Sequence, residues 1–318
     1  MKEGWKKPEK ELNLLTLKWH DQKSENIIIN NIPSFIKMTI AVVGIGHIGG
    51  SMAIDLRKRG FADSIIGVEA NQQHRNIAQL CGLVDETGSL EDAIDKSDLI
   101  ILSTPVDTNC RILPGILDRI AGTSRVVTDM GSTKGSMARA SAGHPGRGRY
   151  VAMHPMAGTE FSGPLAAISR LFDYKPAIIC DPELSDADAL GVVENMIGVL
   201  NMRKVYMNSS DHDVHVAYVS HISHITSFSL ALSVLDKERE EQNILTLAGG
   251  GFESTVRLAK SNGETWAPIF IENGGFLIEV IDNYIEKMKL FRKMISEKDM
   301  EGLKALMEEA NKIRKILN

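Results

Sequence analysis

The chain has 318 residues, 24% of them charged and 43% hydrophobic, with a formal net charge of −5. That length exceeds what one core usually organises and points to two domains, and the acidic balance excludes the basic footprint of a nucleic-acid-binding protein. No run reaches the roughly 18 apolar residues of a membrane span, and the charged N-terminus lacks the apolar core of a secretory signal. Three widely spaced cysteines, Cys81, Cys110 and Cys180, make neither a disulfide framework nor a metal knuckle. The expectation is a cytoplasmic protein that binds neither nucleic acid nor membrane.

Residues 1–37 are polar and lysine-rich, then IIINNIPSFIK, and read as an N-terminal extension. From residue 38 short β-branched runs alternate with helical stretches: TIAVVG, SMAIDLRKRG, SIIGVE, NQQHRNIAQL, DLIILST, TNCRILPGILDRI, RVVTDM and KGSMARAS. Strands apolar on both faces with helices between them predict α/β architecture, a Rossmann-type doubly wound, mostly parallel sheet. YVAMH, KPAIIC and RKVYM continue the strands and close this region at about residue 207. Beyond it the periodicity is helical only, about 209–236, 252–260, 264–294 and 297–316. Residues 208–318 are therefore expected to form an all-helical domain whose apolar stripe makes a homodimer.

The first strand runs into Gly44-Ile45-Gly46-His47-Ile48-Gly49, which fits G-x-G-x-x-G between a strand and a helix. Gly44 permits the tight turn, Gly46 lets a pyrophosphate approach the backbone, and Gly49 lets helix and strand pack closely. The phosphates would meet free N–H groups at the helix N-terminus. Glu69 ends the second strand, where a carboxylate takes the adenosine ribose hydroxyls and repels a 2′-phosphate. The cofactor is expected to be NAD, with Arg75 close enough to keep NADP open. A purely structural glycine turn is the alternative. Ser103, Thr104 and Pro105 lie at another strand's carboxyl end, as ligand contacts or as helix-capping residues.

Two further strand ends carry chemistry. RVVTDMGSTKG places Asp129, Ser132 and Lys134 after one strand, and YVAMHPMAGTEFSG places His154 at the next. A neutral histidine accepts a proton from a hydroxyl at a carbon that loses hydride. Ser132 could bond both groups, or cap the following helix. DHDVHVAYVSHISH invites a metal reading, but at about 100° per residue His212 opposes His221 and His215 opposes His224. No metal is expected; His221 and His224 share a side. Arg257 follows the triple glycine of LAGGGFESTVRLAKS, with the fork geometry that grips a carboxylate, and Trp266 follows it.

GIGHIGGS, TDMGSTKG, HPMAGTEFSG, the SHISH helix and AGGGFESTVRLAKS with its following tryptophan, in this order and spacing, resemble the TyrA family of prephenate and arogenate dehydrogenases over about residues 38–294. The resemblance implies a Rossmann domain, a helical dimerisation domain and oxidative decarboxylation of prephenate to 4-hydroxyphenylpyruvate in tyrosine biosynthesis. It implies His154 as hydrogen-bond acceptor for the ring hydroxyl, Ser132 as bridge between that histidine and substrate, and Lys134 near cofactor and substrate. His224 and Arg257 would bind substrate, with Glu160 and Trp266 also in the pocket. The family's SHLPH reads SHISH here, with Ser223 for the proline. The chain ends after the helices, so no tyrosine-sensing ACT domain is expected, and the extension is too short for a chorismate mutase domain. Arogenate-specific relatives carry an acid in the loop after the histidine; Ser162-Gly163-Pro164-Leu165 has none, which leans towards prephenate. Arogenate dehydrogenase, another Rossmann reductase, or a silent dinucleotide sensor are the alternatives.

Overall fold

Strand and helix alternate through the first half of the chain: β1 (Met38–Val43), α1 (His47–Lys58), β2 (Ala62–Val68), α2 (Gln72–Leu80), β3 (Glu86–Thr87), α3 (Leu90–Lys96), β4 (Leu99–Leu102), α4 (Val106–Ile120), β5 (Val126–Asp129), α5 (Gly135–Ser141), β6 (Tyr150–Pro155), β7 (Pro176–Cys180), α6 (Ala187–Val199) and β8 (Arg203–Met207). The computed structural model describes residues 38–241 and 243–316. The expected N-terminal extension, residues 1–37, lies outside the described residues. Two elements escape the periodicity reading. β3 is only two residues long, and α3 is a seven-residue helix started by Ser89, whose hydroxyl accepts the Asp92 N–H at 3.1 Å.

The strands form one sheet in the order β3-β2-β1-β4-β5-β6-β7-β8. Every pair is parallel except β6 with β7, which is antiparallel. The chain moves outward from β1 to β3 and then returns to the other side of β1 as β4. That reversal opens a crevice at the carboxyl ends of β1 and β4, where open α/β sheets bind ligands. β1, β4 and β5 bury nearly every residue because helices cover both faces. One apolar layer gathers Ile40, Val42, Met52 and Leu56 with Val193 and Met196; the other gathers Ala41, Ile100, Leu113 and Leu117 with Tyr150.

The second half is helical: α7 (Ser209–Val216), a π-helical stretch over Ala217–His221, α8 (Ile222–Glu240), α9 (Gly250–Val256), α10 (Gly263–Glu272), α11 (Gly274–Glu297) and α12 (Met300–Asn311). The run expected as one helix over 209–236 is interrupted by the π turn. Its wider spacing shifts the rotational phase, so side-chain directions read at 100° per residue fail across it. The run expected over 264–294 breaks at Asn273 (φ −101°, ψ 17°), whose side-chain amide bonds the Asp213 carbonyl at 2.8 Å. α10 packs its buried Ile269 into the second apolar layer, so the helices share a core with the sheet. The described residues accordingly belong to a single compact unit.

The turn after β1 is held by close approach. Gly44 has φ +90°, and a Cβ there would sit 2.6 Å from the Ser103 carbonyl oxygen. A Cβ on Gly49 would sit 2.1 Å from the Gly44 carbonyl oxygen, whereas one on Gly46 would meet no protein atom within 4 Å. Gly49→Ala should therefore lower the unfolding free energy by about 1–3 kcal/mol, the usual range for overpacking. Gly46→Ala, at a helix N-cap, should cost about 1 kcal/mol or less. Urea denaturation of both variants checks this; equal losses would rule out close packing as the distinction.

Candidate active site

Gly46 is glycine where the protein's own packing does not require it, which fits a backbone kept open to a ligand's phosphates. It is the N-cap of α1, with no side chain capping the helix and no acid in its first turn. The site residue Glu69 lies just past β2. Its carboxylate accepts the Ile45 N–H at 3.2 Å and the Asn71 N–H at 3.0 Å, which locks it against the glycine loop. Ile45 is wholly buried, so only its backbone faces the loop's outer side. His47 donates from Nδ1 to the Ala166 carbonyl at 2.6 Å, tying the loop after β6 to α1. Ile48 packs against the core. Ser103 lies against Gly44, and Thr104 Oγ1 donates to Asn109 Oδ1 at 2.5 Å; Pro105 is the N-cap of α4, which has no side-chain cap. These residues fit a dinucleotide.

At the ends of β5 and β6 the register sets Asp129 beside Ala152, two residues before His154. Lys134, expected near cofactor and substrate, is 0% exposed. Its ammonium pairs with Asp129 and donates to the Met153 carbonyl at 2.8 Å, while Tyr150 donates to the other Asp129 oxygen at 2.6 Å. This lysine ties the two strand ends together underneath the site. Ser132 is half-buried, and among the described residues its hydroxyl makes no hydrogen bond. It does not cap α5: the N–H groups of Lys134 and Gly135 are taken by the two Asp213 oxygens, each at 2.7 Å.

His154 is 8% exposed, and its Nδ1 lies 2.8 Å from His212 Nε2. His212 Nδ1 in turn lies 2.8 Å from Asp213 Oδ1. A row of side chains thus runs from the helical half to the end of β6. Burial, then the neighbouring His212, Lys134 and His221, push the His154 imidazole well below the ordinary histidine range. His154 is neutral near neutrality and able to accept a proton.

Across the site, α8 presents His224, whose Nδ1–H donates to the Ser220 carbonyl at 3.1 Å and leaves Nε2 as an acceptor. Its ring stacks on Trp266 with centroids 3.3 Å apart. The Arg257 guanidinium donates to Glu160 at 2.9 Å; Arg257 is 51% exposed and Glu160 18%. Ser227 fastens the Arg257 turn to α8, donating to the Thr255 carbonyl and accepting the Ala259 N–H, both at 3.0 Å. Arg257 and Glu160 therefore meet, His224 and Trp266 meet, and His154 meets His212.

His212 enters the sequence reading only as a possible metal ligand, and Asp213 is not singled out there. The overlooked signal is position: DHD lies at the start of the helix that follows β8, as the other polar clusters lie just after their strands.

A family model described as the prephenate dehydrogenase nucleotide-binding domain matches residues 52–206, and one described as the prephenate dehydrogenase dimerization domain matches residues 208–309. The chain belongs to the prephenate dehydrogenase family. It is 28% identical over 270 residues to the prephenate dehydrogenase of Bacillus subtilis, covering 84% of this chain and 73% of that one. Among solved structures it resembles the prephenate dehydrogenase of Aquifex aeolicus in complex with hydroxyphenyl propionate and NAD+, with a TM-score of 0.76 and 27% identity, over 89% of this chain and 100% of that one. It also resembles Synechocystis arogenate dehydrogenase, with a TM-score of 0.69 and 27% identity, over 88% and 100%. The family's nucleotide-binding domain corresponds to the sheet half and its dimerization domain to the helical half. Among the described residues no helix is long and apolar enough to cross a membrane.

Burial is the largest cause of lowered pKa at His154, His212, His221 and His224, and it takes His221 to about 4. The unfolded chain protonates these rings near their ordinary value of about 6.5, while the folded chain keeps them neutral. Their contribution to stability is full above that value and is lost as pH falls towards the folded values, by up to about 1.4 kcal/mol per pH unit for each ring. Urea midpoints should be lower at pH 5.5 than at pH 7.5. Equal midpoints would show that these rings are not held neutral.

Proposed function

We propose that this chain is an NAD-dependent prephenate dehydrogenase that converts prephenate to 4-hydroxyphenylpyruvate and CO2. The observation that carries this reading is the buried neutral imidazole of His154, at the carboxyl edge of the nucleotide-binding sheet and backed by His212. Membership of the family supports it, as does likeness to a relative solved with NAD+ and a hydroxyphenyl compound.

NAD, when bound, supplies the hydride acceptor. The backbone of Gly44–Gly49 would hold its phosphates and Glu69 its adenosine ribose, with Ser103–Pro105 on the far wall of the crevice. His154 takes the proton of the ring hydroxyl as the carbon bearing it loses hydride, which prevents a positive charge from building on the new carbonyl. Loss of the ring carboxylate as CO2 returns an electron pair to the ring, and the proton goes back to the oxygen as the phenol forms. Ser132, with its hydroxyl uncommitted, is placed to bond the substrate. Arg257 binds a substrate carboxylate by exchanging Glu160 for it, while His224 and Trp266 line the same side.

The dimer is proposed to form through the helical half, where Leu232, Leu235, Ile278, Ile285 and Met288 stand exposed. Arogenate dehydrogenase is the second reading, favoured by the Synechocystis likeness. The absence of an acid in Ser162–Leu165 favours prephenate.

Purified protein should form NADH from NAD and prephenate, with a higher kcat/KM than for arogenate. The preference reversed would select the second reading, and turnover of neither would sink both. His154→Asn should lower kcat by about 10²-fold or more, within the span of general acid–base catalysis. Arg257→Ala should chiefly raise the KM for prephenate, as loss of uniform substrate binding does. An unchanged KM would remove Arg257 from substrate binding.

A further inference from the structure

We infer that His212, held by Asp213, fixes the tautomer of His154 and thereby makes Nε2 the basic nitrogen of the site. The reasoning runs inward from the carboxylate. An ionised carboxylate only accepts, so His212 must carry its proton on Nδ1, the nitrogen 2.8 Å from Asp213 Oδ1. A neutral imidazole has one N–H, so His212 Nε2 is left as an acceptor. The nitrogen facing it at 2.8 Å, His154 Nδ1, must then be the donor. The lone pair of His154 is therefore on Nε2, the atom turned away from this row.

The anchor cannot swing. The two Asp213 oxygens also accept the N–H groups of Lys134 and Gly135, and the Asp213 carbonyl takes the Asn273 amide. Burial alone would raise the Asp213 carboxyl, but the bonds from His212, Lys134 and Gly135 outweigh it and hold the group below the usual carboxylate range. His212 is 0% exposed, so water does not compete for either of its nitrogens. Of the other ionisable groups around His154, neither Lys134 nor His221 contests its Nδ1, although the buried His221 Nε2 has no hydrogen-bond partner among the described residues. The Lys134 ammonium is on Asp129 and the Met153 carbonyl, and His221 Nδ1 accepts the Asn273 amide at 3.0 Å.

In the dehydrogenase reading, on which the catalytic meaning of this row rests, one proton makes a round trip. The substrate O–H bond breaks and His154 Nε2–H forms as the carbinol carbon gives up its hydride. Nε2–H then breaks and O–H forms again as the electrons of the departing carboxylate enter the ring. While His154 is doubly protonated, its Nδ1–H stays on His212, and Asp213 faces the charge through that ring. His212 and Asp213 are positioning residues: they touch neither substrate nor cofactor in this role.

The test uses the full-length protein and two variants at His212. His212→Phe keeps a flat ring but removes the acceptor; His212→Gln restores an acceptor oxygen at similar reach. The Phe variant should lose about 10²-fold or more in kcat, as enzymes with a wrongly set histidine tautomer do. Its KM for prephenate should stay within about threefold, since binding groups are untouched. His212→Gln should recover at least about tenfold of that loss, and the acid limb of the kcat profile should move in both variants. In 15N-histidine-labelled wild type, the His154 resonances, assigned by their disappearance in His154→Asn, should report protonation at Nδ1. A wild-type His154 protonated at Nε2, or kcat for both variants within about threefold of wild type, would overturn the inference. If the buried Phe prevents folding, the wild-type tautomer decides. Nδ1 protonation in a wild type that turns over neither cyclohexadienyl compound would support the tautomer and defeat the dehydrogenase reading.

Discussion

One carboxylate organises the site. Asp213 accepts the N–H groups of Lys134, the N-cap of α5, and of Gly135, its first residue; it orients the His212 ring and stands in α7, the helix that follows the last strand. A buried carboxylate is costly unless its lone pairs are filled, and here three donors fill them. Because those donors come from both halves of the chain, satisfying the charge also fixes how the halves meet. The row His154–His212–Asp213 is the outcome. It places a histidine on a rigid strand end and leaves one nitrogen of its ring to face outward.

Around that row the protein keeps polar groups dry and paired. Lys134 and Asp129 form a wholly buried ion pair that also holds the Tyr150 hydroxyl and the Met153 carbonyl. Removing one partner of such a pair leaves an uncompensated charge, so the pair acts as a rigid clamp between β5 and β6. Four buried histidines kept neutral store an acid sensitivity in the fold. The same dryness lowers the affinity of the His154 ring for a proton and keeps it neutral. The outer groups differ: Arg257 is half exposed, and its bond to Glu160 is a surface-type contact that costs little to break.

Much of the site is legible in the sequence, and the unread part has a common cause. Gly44, Gly46, Gly49, Glu69, His154 and Arg257 each sit in a local pattern whose chemistry follows from residue type and spacing. Lys134 sits in one too, yet its side chain turns inward, because the strand register brings Asp129 and the Met153 carbonyl within its reach. His212 is 58 residues from His154, a separation no local pattern encodes. The helical periodicity over 209–236 carried no sign of the π turn over Ala217–His221, a single wider turn that shifts the phase of later side chains.

Local chemistry settled the strands, the glycine loop, the helical second half and the family. A β-branched run, a G-x-G-x-x-G spacing or an ordered set of motifs needs no distant contact to be recognised. Tertiary packing alone decided which nitrogen faces which oxygen. Burial determines whether a histidine is neutral and whether a lysine reaches outward, and burial belongs to the assembled core. The meeting of His154, His212 and Asp213 depends on the sheet and the helices closing over the same space, which is why only the folded chain shows it.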